Sequence, residues 1–148
     1  MRISARTEYA LLALLELVQC KEAQPMQSKD IAGRANIPKP FLDQLLLDLR
    51  RAGLVRSVRG PGGGYVLARA PGEITIRDAI AAVEGGALAT QCGLRAGDAI
   101  PCHRSAACAL SEVWTEVDDA TNAILSRFTL GMLSERQAQI EGRQMYYI

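Results

Sequence analysis

Between residues 40 and 69 the hydrophobic pattern switches from a helical to a strand-like period, and the rest of the chain is arranged around that switch. Leu42, Leu45, Leu46 and Leu49 recur at steps of three and four, the spacing that lines up one face of a helix. Lys39, Asp43, Gln44 and Arg51 fall off that face. Gly53 is placed to end the helix, because glycine accepts the left-handed backbone that follows a last turn. Two short β-prone runs follow, 54–58 and 65–67, joined by Arg59-Gly60-Pro61-Gly62-Gly63-Gly64. So many glycines relax the limits on φ and leave bare backbone able to approach another surface. The pattern predicts the recognition helix and basic, glycine-tipped wing of a winged helix-turn-helix. Such a helix suits the major groove of double-stranded promoter DNA. Arg59, beside bare backbone at Gly60, Gly62 and Gly63, suits phosphates or the narrow minor groove. A P-loop would need Gly-Lys-Ser/Thr opening a helix, whereas these glycines lead into Tyr65-Val66-Leu67, a strand. A purely structural turn would need one or two glycines, not four flanked by Arg56, Arg59 and Arg69.

Upstream, residues 5–18 read as a helix that is apolar nearly all round, through Tyr9, Leu11, Leu12, Leu14, Leu15 and Leu17. A helix like that is buried or sits between subunits. Arg2 and Arg6 lie at its start, where they could meet phosphates. Glu8 is an acid on this apolar helix; by itself it reads as a solvated residue or a first-turn charge favoured by the helix dipole. Ser28 can cap a helix over 29–35, with Ile31 and Ala32 inward. Asn36-Ile37-Pro38 then forms the turn, and the recognition helix begins near 38–40, since proline fits a first turn. Lys39, Asp43 and Gln44 stand near the end that would enter the groove. Gln44 could pair with adenine and Asp43 could accept from a cytosine amine, or either could simply be solvated.

Downstream, Pro71-Gly72 closes the winged domain, and Thr75 can cap a helix running to Glu84, with Ile76, Ala79, Ile80 and Val83 as its buried stripe. Gly85-Gly86 ends it, and 87–106 is irregular. From about Ala107 a long helix is expected. Leu110, Trp114, Val117, Thr121, Ile124 and Phe128 are spaced 4-3-4-3-4, the seam of a coiled coil. A winged domain needs little of this length for its own core, so the seam is best covered by a second copy in a twofold homodimer. The alternative is packing within one chain. After Gly131 no pattern stands out. The expected organisation is mainly α with a small β-hairpin wing: a winged helix-turn-helix over 1–70, a connecting helix and cysteine-bearing loop over 71–106, and a dimerisation helix with tail over 107–148.

The 148 residues suffice for one ordinary domain with an extension, and 49% hydrophobic content supports a core. No apolar run reaches the roughly eighteen residues of a membrane span, and Met1-Arg2-Ile3-Ser4 leads straight into a helix, so a cytoplasmic protein without membrane attachment is expected. The net charge of +1 hides an asymmetry. Residues 1–70 carry eleven Lys/Arg against six Asp/Glu, a net of +5; residues 71–148 carry six against ten, a net of −4. Contact with a polyanion belongs to the first half. The lone histidine is His103 and no nucleophile–base constellation stands out, so an enzyme is not expected.

Cys20 ends an apolar helix and reads as a small buried hydrophobe. The other three cysteines, Cys92, Cys102 and Cys108, are spaced C-x9-C-x5-C. Three clustered thiols on a loop of an intracellular chain argue against a structural disulfide framework. Three readings stay open. Zinc wants four ligands, usually paired through C-x2–4-C units that are absent. A thiol switch would join two of the three on oxidation. An iron–sulfur cluster could take three thiolates and a non-cysteine ligand.

The run L-R-R-A-G-L-V-R-S-V-R-G-P-G-G-G-Y-V-L-A-R, the start M-R-I-S-x-x-T-E-Y-A-L, and three cysteines ahead of a Trp-bearing helix together resemble the IscR/NsrR/RirA family of bacterial regulators. The likeness spans nearly the whole chain. It implies a dimeric winged-helix regulator whose DNA affinity is set by a 2Fe-2S or 4Fe-4S cluster, with Cys92, Cys102 and Cys108 as thiolate ligands. One branch of the family completes the set with a His three residues after the last cysteine; Ser111 stands there. Another uses an acidic residue near the N-terminus, reaching over from the partner chain; Glu8 stands there, with His103 as rival. The gap of nine between the first two cysteines is longer than usual in the family, and Pro38 and Pro40 stand where members often have small polar residues. A cluster-free thiol-switch regulator is the alternative. A cluster-carrying electron-transfer or delivery protein is the alternative of another class, and the basic helix and wing speak against it.

Overall fold

The computed structural model describes residues 3–20, 24–85 and 109–144. Helix α1 (Ala5–Gln19) starts where the Ser4 hydroxyl accepts the Thr7 N–H at 3.1 Å. Its Ala10, Ala13, Leu14 and Leu17 are buried, while Tyr9, Leu11 and Leu15 are half-buried against the same core. The all-round apolar pattern has a direct cause: α1 packs against α2 (Ser28–Ala35), α3 (Lys39–Arg51), α4 (Ile76–Glu84) and α6 (Leu130–Gln144).

Ser28 proves to be the first helical residue of α2 and not its cap. Gln27 holds the cap position without a side-chain bond, and its carbonyl accepts the N–H groups of Asp30 and Ile31 at 2.9 and 3.1 Å. Asn36 closes α2 in the left-handed region at φ 52°, and Ile37 turns into the core. Pro38 then caps α3 and Pro40 occupies its first turn, where a missing N–H costs nothing. Leu42, Leu45, Leu46 and Leu49 are all fully buried, as the spacing requires. Truncating any one to Ala removes about 2–5 kcal/mol.

Gly53 reverses the chain at φ 71°, and Leu54, also buried, donates its N–H to the Leu49 carbonyl at 2.9 Å. Strands β1 (Val55–Val58) and β2 (Gly64–Leu67) pair antiparallel from Val55↔Leu67 to Val58↔Gly64. The hairpin is fixed to the body at Met26, which exchanges backbone hydrogen bonds with Tyr65 at 3.0 and 2.8 Å. This third strand-like contact orients the wing relative to α2 and α3.

A 3-10 turn at Pro71–Glu73 leads to α4, whose cap is reciprocal: Asp78 N–H to the Thr75 hydroxyl at 3.1 Å, Thr75 N–H to the Asp78 carboxylate at 3.0 Å. Ile76, Ala79 and Val83 are buried and Ile80 is half-buried. Gly85 ends α4 at φ 80°.

The expected single C-terminal helix is two helices among the described residues, α5 (Ala109–Leu125) and α6. Residues 126–129 leave the helical path because their neighbourhood pairs with the segment before α4. The Leu130 N–H donates to the Ile74 carbonyl and the Ile76 N–H to the Phe128 carbonyl, both at 2.9 Å. Phe128 therefore sits in a corner, not on a coiled-coil seam, and the seam ends at Ile124. Gly131 does not open a featureless tail. It lies in the first turn of α6 against Gly72, and Leu130 beside it is fully buried.

Candidate nucleic-acid interface

The outward side of α3 carries the residues expected to read bases. Lys39 and Asp43 are exposed and bonded to each other, Nζ to Oδ2 at 2.7 Å. Gln44, one turn on, is exposed and donates to Asp48 Oδ1 at 3.4 Å. Arg51 approaches the same oxygen at 3.5 Å. Asp48 itself is shielded, with 14% side-chain exposure, and its Oδ2 is held by Arg6.

Arg6, placed by its position at the start of α1 to meet phosphates, is already engaged within the chain. Its guanidinium bonds Asp48 and the Val83 carbonyl, which it meets at 3.0 Å. Arg2 lies outside the described residues. The wing, by contrast, offers free cations. Arg56 and Arg59 are exposed and neither has a partner among the described residues, whereas Arg69 leans on Asp78 at 3.5 Å.

The wing glycines divide by cause. Gly60 holds φ 111°, a region closed to most side chains. At Gly63 a Cβ would come within 2.3 Å of the Val58 carbonyl oxygen, and at Gly64 within 2.4 Å of the Met26 carbonyl oxygen. These three satisfy the hairpin itself. Gly62 is exposed with nothing near its missing Cβ, so it alone presents bare backbone that the fold does not require. Sequence reasoning missed Phe41 on the first turn of α3. It is exposed and held edge-on by Tyr9 at a ring separation of 5.6 Å. Only its place off the leucine stripe marked it.

Glu8 is exposed on the first turn of α1, and its carboxylate has no partner among the described residues. Cys20 is half-buried against the core, as a small hydrophobe would be. Cys92, Cys102, Cys108 and His103 lie outside the described residues. Among the described residues no three His, Cys, Asp or Glu converge as a metal site, and no helix is long and apolar enough to cross a membrane.

The chain is similar to known proteins over nearly its whole length. A family model described as an iron-dependent transcriptional regulator, Rrf2, matches residues 3–136. The HTH-type transcriptional regulator IscR of Salmonella paratyphi B is 36% identical over 146 residues, covering 97% of this chain and 87% of its own. The structure of T. potens IscR superposes with a TM-score of 0.72 at 31% identity, over 93% of this chain and 88% of that one. CymR, the global cysteine regulator of B. subtilis, superposes with a TM-score of 0.69 at 34% identity, over 92% and 98%. The relatives are regulators and not enzymes. A helix-turn-helix with a cationic wing, matched over nearly its full length by such proteins, belongs to the Rrf2 family of DNA-binding transcriptional regulators.

Proposed function

We propose that the chain acts in the cytoplasm as a homodimeric promoter-binding regulator whose affinity for DNA is set by an iron–sulfur cluster, held by Cys92, Cys102 and Cys108 of one subunit and Glu8 of its partner. On the DNA side, Lys39, Asp43 and Gln44 on α3 face the major groove, and Arg59 with Gly60, Gly62 and Gly63 reaches the flanking backbone. The observation that carries the sensing side is Glu8. An exposed carboxylate without a partner among the described residues stands on the apolar first helix of a chain whose family is described as iron-dependent. Three thiolates and one carboxylate form a donor set that suits iron, with no nitrogen ligand at Ser111. When bound, the cluster would supply a bridge between subunits that responds to iron supply or oxidants. Glu8 would be its weakest attachment, since a carboxylate holds iron less firmly than a thiolate.

The second subunit is supported by α5. This helix buries none of its side chains in the protomer, and Leu110, Val113, Trp114, Val117 and Ile124 are exposed along it. A second copy covers that face most economically.

The test is an absorption spectrum with iron and sulfide analysis on oxygen-free protein, followed by DNA titration before and after iron is stripped. Coloured protein with iron and sulfide, and occupancy that changes on stripping, is expected. Colourless, metal-free protein removes the cluster. The thiol-switch reading, supported by the likeness to Staphylococcus aureus CymR, a protein whose structure is known in an oxidized form, then stands, and peroxide treatment of metal-free protein would alter DNA binding through a Cys–Cys bond. Glu8→Ala should leave the dimer intact and loosen control by iron; unchanged iron retention and unchanged DNA response would remove Glu8 from the site.

A further inference from the structure

Asp48 sits where two sets of bonds meet. Its Oδ2 takes a charge-assisted bond from Arg6, 42 residues away in the chain, and its Oδ1 faces Gln44 and Arg51 at 3.4 and 3.5 Å. Arg6 also donates its Nε to the Val83 carbonyl at 3.0 Å, and the next residue, Glu84, accepts from the hydroxyls of Ser4 and Thr7. The last two residues of α4 are therefore tied by side chains to the start of α1, and through Arg6 to the recognition helix. Arg6 and Asp48 are only 35% and 14% exposed, so the pair is less screened than a surface ion pair.

Gln44 explains what Asp48 does. An amide reads adenine only if one N–H and the carbonyl oxygen lie in the base plane together. A carboxylate can accept only from the NH2 end of Gln44. With the N–H anti to the oxygen engaged by the carboxylate, the syn N–H and the oxygen remain on one edge, the combination that N7 and the N6 amine of adenine need.

We infer that Asp48 is a positioning residue for base reading and that Arg6 joins it to the last turn of α4, making the outward face of α3 and the root of the cysteine-bearing segment one mechanical unit. The inference rests on the reading of α3 as the base-contacting helix. Asp48→Asn is the informative variant, because a neutral amide has one oxygen and can accept on one side only.

The experiment uses the full chain, purified without oxygen, and a duplex that the wild type selects from a random-sequence pool. Affinity for that duplex and for a scrambled one is measured for wild type, Asp48→Asn, Gln44→Ala and the double variant, with melting temperatures alongside. Asp48→Asn should lower the selected-to-scrambled affinity ratio about tenfold, the effect of one impaired bidentate contact, with scrambled affinity unchanged. In the Gln44→Ala background the same substitution should do nothing further. An unchanged ratio, additive losses, or both affinities falling together with the melting temperature would overturn the positioning role. For the Arg6 tie the readout is amide exchange. Binding of the selected duplex should protect the last turn of α4 in wild type and not in Arg6→Lys, which keeps the cation but lacks Nε. Equal protection in both would overturn the tie. A wild type that selects no duplex fails the DNA-reading assignment itself, a result distinct from either.

Discussion

Lys39 and Asp43 hold each other across one turn at the leading end of α3, with Nζ 2.7 Å from Oδ2 and both side chains in solvent. An exposed i,i+4 pair is worth only about 0.3–0.5 kcal/mol, so a phosphate can compete for the ammonium. On the proposed reading of α3 as the DNA-facing helix, the pair would act as a brake on non-specific binding, with Asp43 repelling phosphates while it occupies Lys39. Asp43→Asn should raise affinity for scrambled duplex a few-fold and steepen the salt dependence by about one unit of slope. Fluorescence anisotropy at several salt concentrations checks this. An unchanged slope would mean that Lys39 faces away from the duplex.

The division among the wing glycines separates stability from binding. Gly64→Ala places a methyl group 2.4 Å from the Met26 carbonyl oxygen, on backbone that cannot yield cheaply. It should cost about 1–3 kcal/mol, seen as a lower urea midpoint. Gly62→Ala meets nothing within 4 Å and should leave that midpoint in place while weakening DNA binding. If Gly62→Ala binds DNA like the wild type, the tip does not approach the duplex closely.

Arg59 is exposed and has no partner among the described residues, so its removal breaks nothing in the fold. Arg59→Ala should weaken binding to selected and scrambled duplexes alike and make the salt slope shallower by about one, the signature of a lost phosphate contact. A loss confined to duplexes with A·T pairs under the wing would instead place the guanidinium in the minor groove. A titration without any loss would reject the wing.

Asp78 gives the start of α4 a dependence on acid. Burial raises its pKa, but the Thr75 N–H and hydroxyl, with Arg69 and Arg77 nearby, more than offset this and hold it below the ordinary 3.8. A carboxyl depressed on folding stabilises above its unfolded value of about 3.9 and loses that contribution as pH falls through its folded value. Asp78→Asn should therefore melt lower than wild type at pH 7, and the gap should close below about pH 4. Thr75→Ala removes the other half of the cap, at about 1 kcal/mol. Melting curves from pH 3 to 7 decide both, and a gap independent of pH would refute the Asp78 account.

What could be read from the sequence was local. The four leucines of α3, the turn at Gly53 and the Thr75 cap each depend on residues within a turn or two, and each stands where the spacing put it. The break at 126–129 was not legible, because its cause is backbone pairing with residues 74–76, some fifty positions earlier. The fate of Arg6 was hidden for the same reason: an arginine at a helix start looks free until the fold brings Asp48 to it. Glycine identity was overread at the wing, where three of the four serve the hairpin. The cysteine spacing carries chemistry but no geometry, so the sensing residues rest on their donor types and on family likeness.

The outward face of α5 tests the assembly without disturbing the fold. Leu110 and Ile124 are 59% and 55% exposed in the protomer, and no residue of the helix is buried there. A charge on this face should therefore leave the protomer folded and act only where a second copy would sit. Val117→Glu, in the middle of the helix, would place two carboxylates near the twofold axis of a dimer and bury them without partners, a cost of several kcal/mol. Sedimentation at micromolar concentration should show wild-type dimer and Val117→Glu monomer, with equal helical circular dichroism. Leu130→Ala is the contrasting control, since Leu130 is fully buried within one chain and its loss should cost about 2–5 kcal/mol without changing the dimer. A Val117→Glu protein that stays dimeric at the same concentration would move the interface off α5. The paired half-sites expected of two linked recognition helices would then have to be spaced by some other contact.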